Sequence, residues 1–124
     1  MAGGGFETLL VWQRAHELVK AVYRLSSTFP KFELYALGNQ MRRSSVSIAA
    51  NIAEAYTRHS PKDKLRFLNI SRGSLEETRY FLRLCRDLGY GEGRDENALL
   101  EESSKLLRLY EESIRRRAGS QEAR

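Results

Sequence analysis

The chain has 124 residues, 41% of them hydrophobic, which fits one domain, residues 1–124, with one apolar core. Its 21 Lys and Arg against 16 Asp and Glu give a net charge of +5 and a pI near 9.6, which favours acidic partners. The lone Cys85 and two histidines exclude an internal disulfide framework and an ordinary structural zinc site, and no apolar run approaches the ~18 residues of a membrane span. Met1 to Gly5 lack the basic and apolar regions of a secretory signal, so a soluble cytoplasmic protein without a membrane partner is expected.

Pro30 and Pro61 stand where one helical pattern stops and another begins, because proline cannot donate the helical N–H bond. Before the first of them, Val11, Ala15, Leu18, Val22, Leu25 and Phe29 recur at intervals of three and four and predict a helix over about 9–29. A second helix is expected over about 33–58, with Leu34, Leu37, Met41, Ile48, Ile52 and Tyr56 along one stripe. Ser60 as cap, Pro61 in the first turn and Asp63 near the positive dipole end open a third helix over about 61–88. Its buried stripe reads as Phe67, Ser71, Ser74, Thr78, Phe81, Cys85 and Leu88.

Gly89, Gly91 and Gly93 follow a helix rather than a strand, so they predict a turn and not a dinucleotide site. The last helix, about 95–117, uses Leu100, Leu107, Tyr110 and Ile114, and Ala118 to Arg124 is expected to be loose. With no strand-like alternation and three short connections, the pattern predicts an all-α fold, an antiparallel up-down four-helix bundle.

The second helix departs from an ordinary surface helix, since Ser44 to Ala55 carries small residues where Lys and Glu are usual. Val46, Ala50 and Ala53 form a stripe roughly opposite Ile48 and Ile52, so the helix has two small or apolar sides. One side can serve the monomer core; the other suits either crowded packing within the chain or contact with a second copy. Trp12, Val19 and Tyr23, with His16 between them, widen the apolar surface of the first helix and make Trp12 a further interface candidate. Wide stripes are also what four mutually packed helices require.

The positive excess lies wholly before Gly89. Arg72, Arg79, Arg83 and Arg86 fall within about 60° on a helical wheel and could track phosphates. Spacings of i,i+4 also predict ion pairs Arg72–Glu76 and Arg83–Asp87, the pattern of a solvated helix face. Arg42 and Arg43 have no acidic residue three or four positions away. They are left to bridge Glu17 or Glu77, to cap another helix, or to line a basic ring of several copies. Arg115 to Arg117 carry less weight, because Glu111 and Glu112 can pair with the first two.

No catalytic constellation is legible. His16, His59 and Cys85 fall on separate elements, and Glu54, Glu76 and Glu77 do not form the paired Glu-x-x-His motifs of a di-iron bundle. Neither enzymatic activity nor a cofactor or metal is expected.

Three stretches carry a resemblance: Leu10-Val11-Trp12-Gln13-Arg14-Ala15-His16, the block Gln40 to Glu54, and Phe67-Leu68 with Arg72-Gly73-Ser74-Leu75-Glu76-Glu77. Together they closely resemble the bacterial four-helix-bundle family encoded in intervening sequences of large-subunit ribosomal RNA genes, also called the S23 ribosomal protein family. The resemblance spans about Phe6 to Ile114 and implies a homopentamer around a central axis, with a poorly defined role. A more distant resemblance, to the accessory variability proteins of diversity-generating retroelements, implies binding to RNA or DNA and to a reverse transcriptase. Ala55 stands where the family usually has glycine and Ser71 where alanine is common. The leading expectation is a non-enzymatic, oligomeric module that binds nucleic-acid phosphates. The competing one is an adaptor homo-oligomer acting through protein partners.

Overall fold

The computed structural model describes residues 4–122. After a short 3-10 turn, Phe6–Thr8, the first helix, α1, spans Leu10–Ser26. The second, α2, is one continuous helical run in three pieces: Lys31–Glu33, a π-helical turn Leu34–Gly38, and Asn39–Thr57. Helix α3 spans Pro61–Asp87 and α4 spans Arg94–Glu122. No strand occurs among the described residues.

Each helix runs antiparallel to its neighbours. Going up α3 from Ser71 through Ser74 to Thr78, the partners on α2 descend from Ile48 through Ser47 to Ser44. Arg72 and Arg79 meet Glu111 and Glu101 on α4 in the same reversed order. Thr8 and Leu9, at the start of α1, lie by Tyr110 and Ile114 late in α4, and the start of the chain also contacts α2. The bundle is therefore up-down, with α2 and α3 sharing its most extensive interface.

Helix α1 ends three residues short of the expected Phe29. The Ser27 and Thr28 hydroxyls donate to the carbonyls of Arg24 and Leu25 at 2.7 Å, satisfying groups the helix leaves open. Phe29 remains buried outside the helix, its ring 5.1 Å from that of Tyr90. The π turn in α2 was not legible in the stripe pattern. Within it the Glu33 carboxylate accepts from the Leu37 N–H at 3.4 Å and from the Tyr90 hydroxyl at 2.8 Å. A Cβ at Gly38 would lie 3.2 Å from Leu34 Cδ1 on the same helix and in ordinary contact, 3.6 Å, with Ser26 Cβ of α1, so a larger residue there would have to shift the Leu34 side chain.

The core is one cluster drawn from all four helices. Leu37, Met41, Ile48 and Ile52 are buried as the α2 stripe predicts, but Tyr56 is exposed and Leu34 only half-buried. The predicted α3 stripe is off by part of a turn. Ser71, Thr78, Phe81 and Cys85 are buried, yet the column Leu68, Leu75, Leu82 is at the centre of the core and Leu88 is exposed. The physical reason is that α3 buries two adjoining arcs. One is a hydroxyl seam against α2: Ser44 to Thr78 at 2.7 Å, Ser74 to Ser47 at 2.7 Å, and Ser71 donating to the Ile48 carbonyl at 2.8 Å. The other is the leucine column.

Ser60 caps α3 as its sequence predicts, accepting from the Asp63 N–H at 3.1 Å. The glycine string makes the turn into α4, with Gly89 at φ +79° and the Tyr90 N–H donating back to the Cys85 carbonyl at 2.9 Å. Helix α4 buries Leu100, Leu107 and Ile114 as expected. It does not stop near Arg117, however. It continues through Gly119 to Glu122, with no proline in residues 118–122 to interrupt it; Ala123 and Arg124 lie outside the described residues. No helix of the described residues is long and apolar enough to cross a membrane.

Candidate interaction surface

The outward face of α2 carries Arg43, Val46, Ala50 and Ala53. Arg43 and Ala50 are exposed, Val46 is 41% exposed and Ala53 is half-buried. From Arg43 to Ala53 there is no acidic residue. The three small apolar side chains thus leave a smooth strip with one cationic end. Trp12 lies elsewhere, near the start of α1. It is half-buried, stacked on His16 at 4.7 Å between ring centroids and met edge-on by Phe6 at 5.1 Å. Much of its ring is already used within the chain.

The six candidate arginines do not form one surface. Arg42 caps α1: its Nε donates to Ser26 Oγ at 2.8 Å, a second guanidinium nitrogen donates to the Tyr23 carbonyl at 3.3 Å, and the group stands 4.5 Å over the Tyr23 ring. Of the alternatives open to it, capping a helix is the one realised, at the end where the dipole favours a cation. Glu17 instead pairs with Lys20 at 2.8 Å. Arg43 makes no ion pair among the described residues, although it lines one groove with Glu77.

Arg72 does not pair with Glu76. It reaches across to the buried Glu111 of α4, a carboxylate that has left water and needs a cation, while Glu76 pairs with Arg79 at 2.9 Å. Arg79 also bonds Glu101, and Arg83 pairs with Asp87 at 3.1 Å as its spacing predicts. Arg86 has no ion pair among the described residues. Most of the basic strip is therefore neutralised by its own neighbours.

Sequence reasoning missed three exposed aromatics. Phe32 and Tyr35, 72% and 67% exposed, flank the start of the π turn. Tyr80 stands among the arginines of α3 and is also exposed. Their signal in the sequence was only their position outside the buried stripes.

Cys85 is fully buried, and burial with a smaller contribution from Glu96 pushes its thiol up to about 11. The Tyr90 hydroxyl is raised by its bond to Glu33, and Tyr110 by burial. All three groups hold their protons longer folded than unfolded. Through these three groups the unfolded chain binds fewer protons above pH 9, and they outnumber the one opposing group, Lys64, which burial holds below the ordinary lysine value, so stability should fall as pH rises from about 9 towards 11. Urea midpoints across that range check the sign. Native Cys85 should also resist alkylation at pH 8 and react once the chain unfolds. Among the described residues no group of three or more His, Cys, Asp or Glu side chains is placed to hold a metal.

The family model for the 23S rRNA-intervening sequence protein matches residues 7–112. Among solved structures, the chain is similar to a protein of unknown function from the S23 ribosomal protein family of Bacteroides thetaiotaomicron VPI-5482. The two are 25% identical, the match covers 85% of this chain and 98% of that one, and the TM-score is 0.71. No curated relative matches the chain.

Proposed function

The chain belongs to the 23S rRNA-intervening sequence protein family, and from that premise we propose a non-enzymatic cytoplasmic module that assembles with copies of itself and binds nucleic-acid phosphates. The observation that carries the reading is the α2 face. Arg43 stands at the end of an acid-free strip of Val46, Ala50 and Ala53 and makes no ion pair among the described residues. Small side chains allow the backbone of a second α2 to approach closely. A ring of five copies, as the family resemblance implies, multiplies one unpaired arginine per chain into a concentrated positive field.

A second reading has its own support. Four of the six candidate arginines are committed within the chain, which favours an adaptor whose assembled faces hold a protein such as a reverse transcriptase.

Mass by light scattering, with titration of a single-stranded RNA at several salt concentrations, tests both. The wild-type chain should be a multimer, and Ala50→Glu should reduce it to a monomer. RNA affinity should fall steeply with salt, and Arg43→Ala should weaken it by at least about tenfold at low salt without changing the mass. A wild-type monomer removes the assembly. Affinity that ignores both salt and Arg43 removes the phosphate contact and leaves the adaptor.

A further inference from the structure

A cavity of about 450 Å³ opens at the end of the bundle where α1 begins, α2 ends, α3 begins and α4 approaches its last turns. Its lining includes Tyr56, His59, Lys64, Tyr110 and Arg117, with Leu9 and Ile114 supplying apolar wall. No carboxylate of the described residues is in that lining. The acids nearest in sequence to His59 and Lys64 are committed elsewhere: Glu54 to Arg58 at 2.6 Å and Asp63 to Arg66 at 3.8 Å.

We propose that this cavity binds a small phosphomonoester of mononucleotide size, its phosphate held by Lys64, Arg117 and His59 and its ring against Tyr56 and Tyr110. Lys64 is positioned in advance. Its ammonium donates to the carbonyls of Ala55 at 3.2 Å and Tyr56 at 3.1 Å, leaving one N–H uncommitted. Capping α2 accounts for that lysine alone. It does not account for the arginine brought from α4, nor for the empty volume between them.

Burial, and then the like charge of Arg117, hold Lys64 below the ordinary lysine value. An anion between the two cations would reverse that repulsion. Tyr110, its hydroxyl raised by burial, stays a donor throughout the neutral range. The volume falls in the range of about 300–1,000 Å³ usual for small-molecule sites, far more than a bare phosphate ion fills.

The chain has only two histidines, so proton NMR of the imidazole rings reads the site directly. Adenosine 5′-monophosphate should move the His59 resonances saturably and leave those of His16 in place, whereas adenosine should move neither. Arg117→Ala, a change at an exposed side chain, should weaken the response by about tenfold or more, and Lys64→Gln should do the same. Arg43→Ala should leave it unchanged, which separates this site from the proposed phosphate contact on α2. An unmoved His59 at millimolar nucleotide overturns the proposal. So does adenosine acting as well as its phosphate ester, or an undiminished response in Arg117→Ala.

Discussion

Leu75→Ala is expected to lower the unfolding free energy by about 2–5 kcal/mol, the range for removing a fully buried leucine from a core that cannot collapse around the gap. Leu75 has no exposed surface and stands in the middle of the Leu68, Leu75, Leu82 column, where α3 meets the other helices. Relaxation there is limited on both sides. The neighbouring arc of α3 is fixed by the Ser71, Ser74 and Thr78 hydrogen bonds to α2, and Arg72 and Arg79 tie the opposite edge to α4. Ile70→Ala on the same helix is the control: its side chain is 45% exposed, and its loss should cost no more than about 1 kcal/mol. Urea unfolding followed by circular dichroism and by the single tryptophan should show a large midpoint shift for Leu75→Ala at unchanged slope. Protein concentration must be held fixed, since assembly would itself add to apparent stability. Equal effects of the two substitutions would mean that the leucine column is not the centre of the core.

That column also marks the limit of what periodicity discloses. Spacing of three and four located all four helices, and the cap Ser60 with Pro61 fixed the start of α3. It could not fix the angle of α3 about its own axis. A helix with two packed neighbours buries a wide arc, and a stripe through Ser71, Thr78 and Cys85 satisfies the same period as one through Leu68, Leu75 and Leu82. The π turn was hidden for a related reason. It depends on Glu33 supplying an acceptor to Leu37 while held by Tyr90, a residue 57 positions away. Arg42 illustrates the same limit at the candidate surface. The absence of an acid on its own helix left several fates open, and only the position of α1 selects the Ser26 and Tyr23 acceptors. The outward stripe Val46, Ala50, Ala53, by contrast, was legible throughout, because it needs only the phase of α2 beyond the π turn.

Arg72→Ala is expected to destabilise the chain by about 1–3 kcal/mol, whatever it does to nucleic-acid affinity. Glu111 is only 6% exposed, so its carboxylate has given up most of its hydration, and the Arg72 guanidinium from α3 is the cation it meets. Removing the arginine leaves a buried anion without that partner, which costs more than the ion pair itself contributes. The Arg72 side chain is a third exposed, so solvent screens the interaction and the loss stays below that of a fully dry pair. Glu111→Gln should cost less, since an amide oxygen can still accept from the guanidinium. Arg72→Met with Glu111→Leu should recover much of the loss, because packed apolar side chains need no counter-charge. Arg43→Ala, at an exposed side chain without an ion pair among the described residues, should leave the urea midpoint where it was. The two arginines thus separate two roles that basic composition alone merges. Loss of RNA affinity in Arg72→Ala has to be read at a temperature where the variant is fully folded, whereas loss in Arg43→Ala reports on the phosphate contact itself. An Arg72→Ala chain as stable as the wild type would return Arg72 to the set of residues free to meet a ligand.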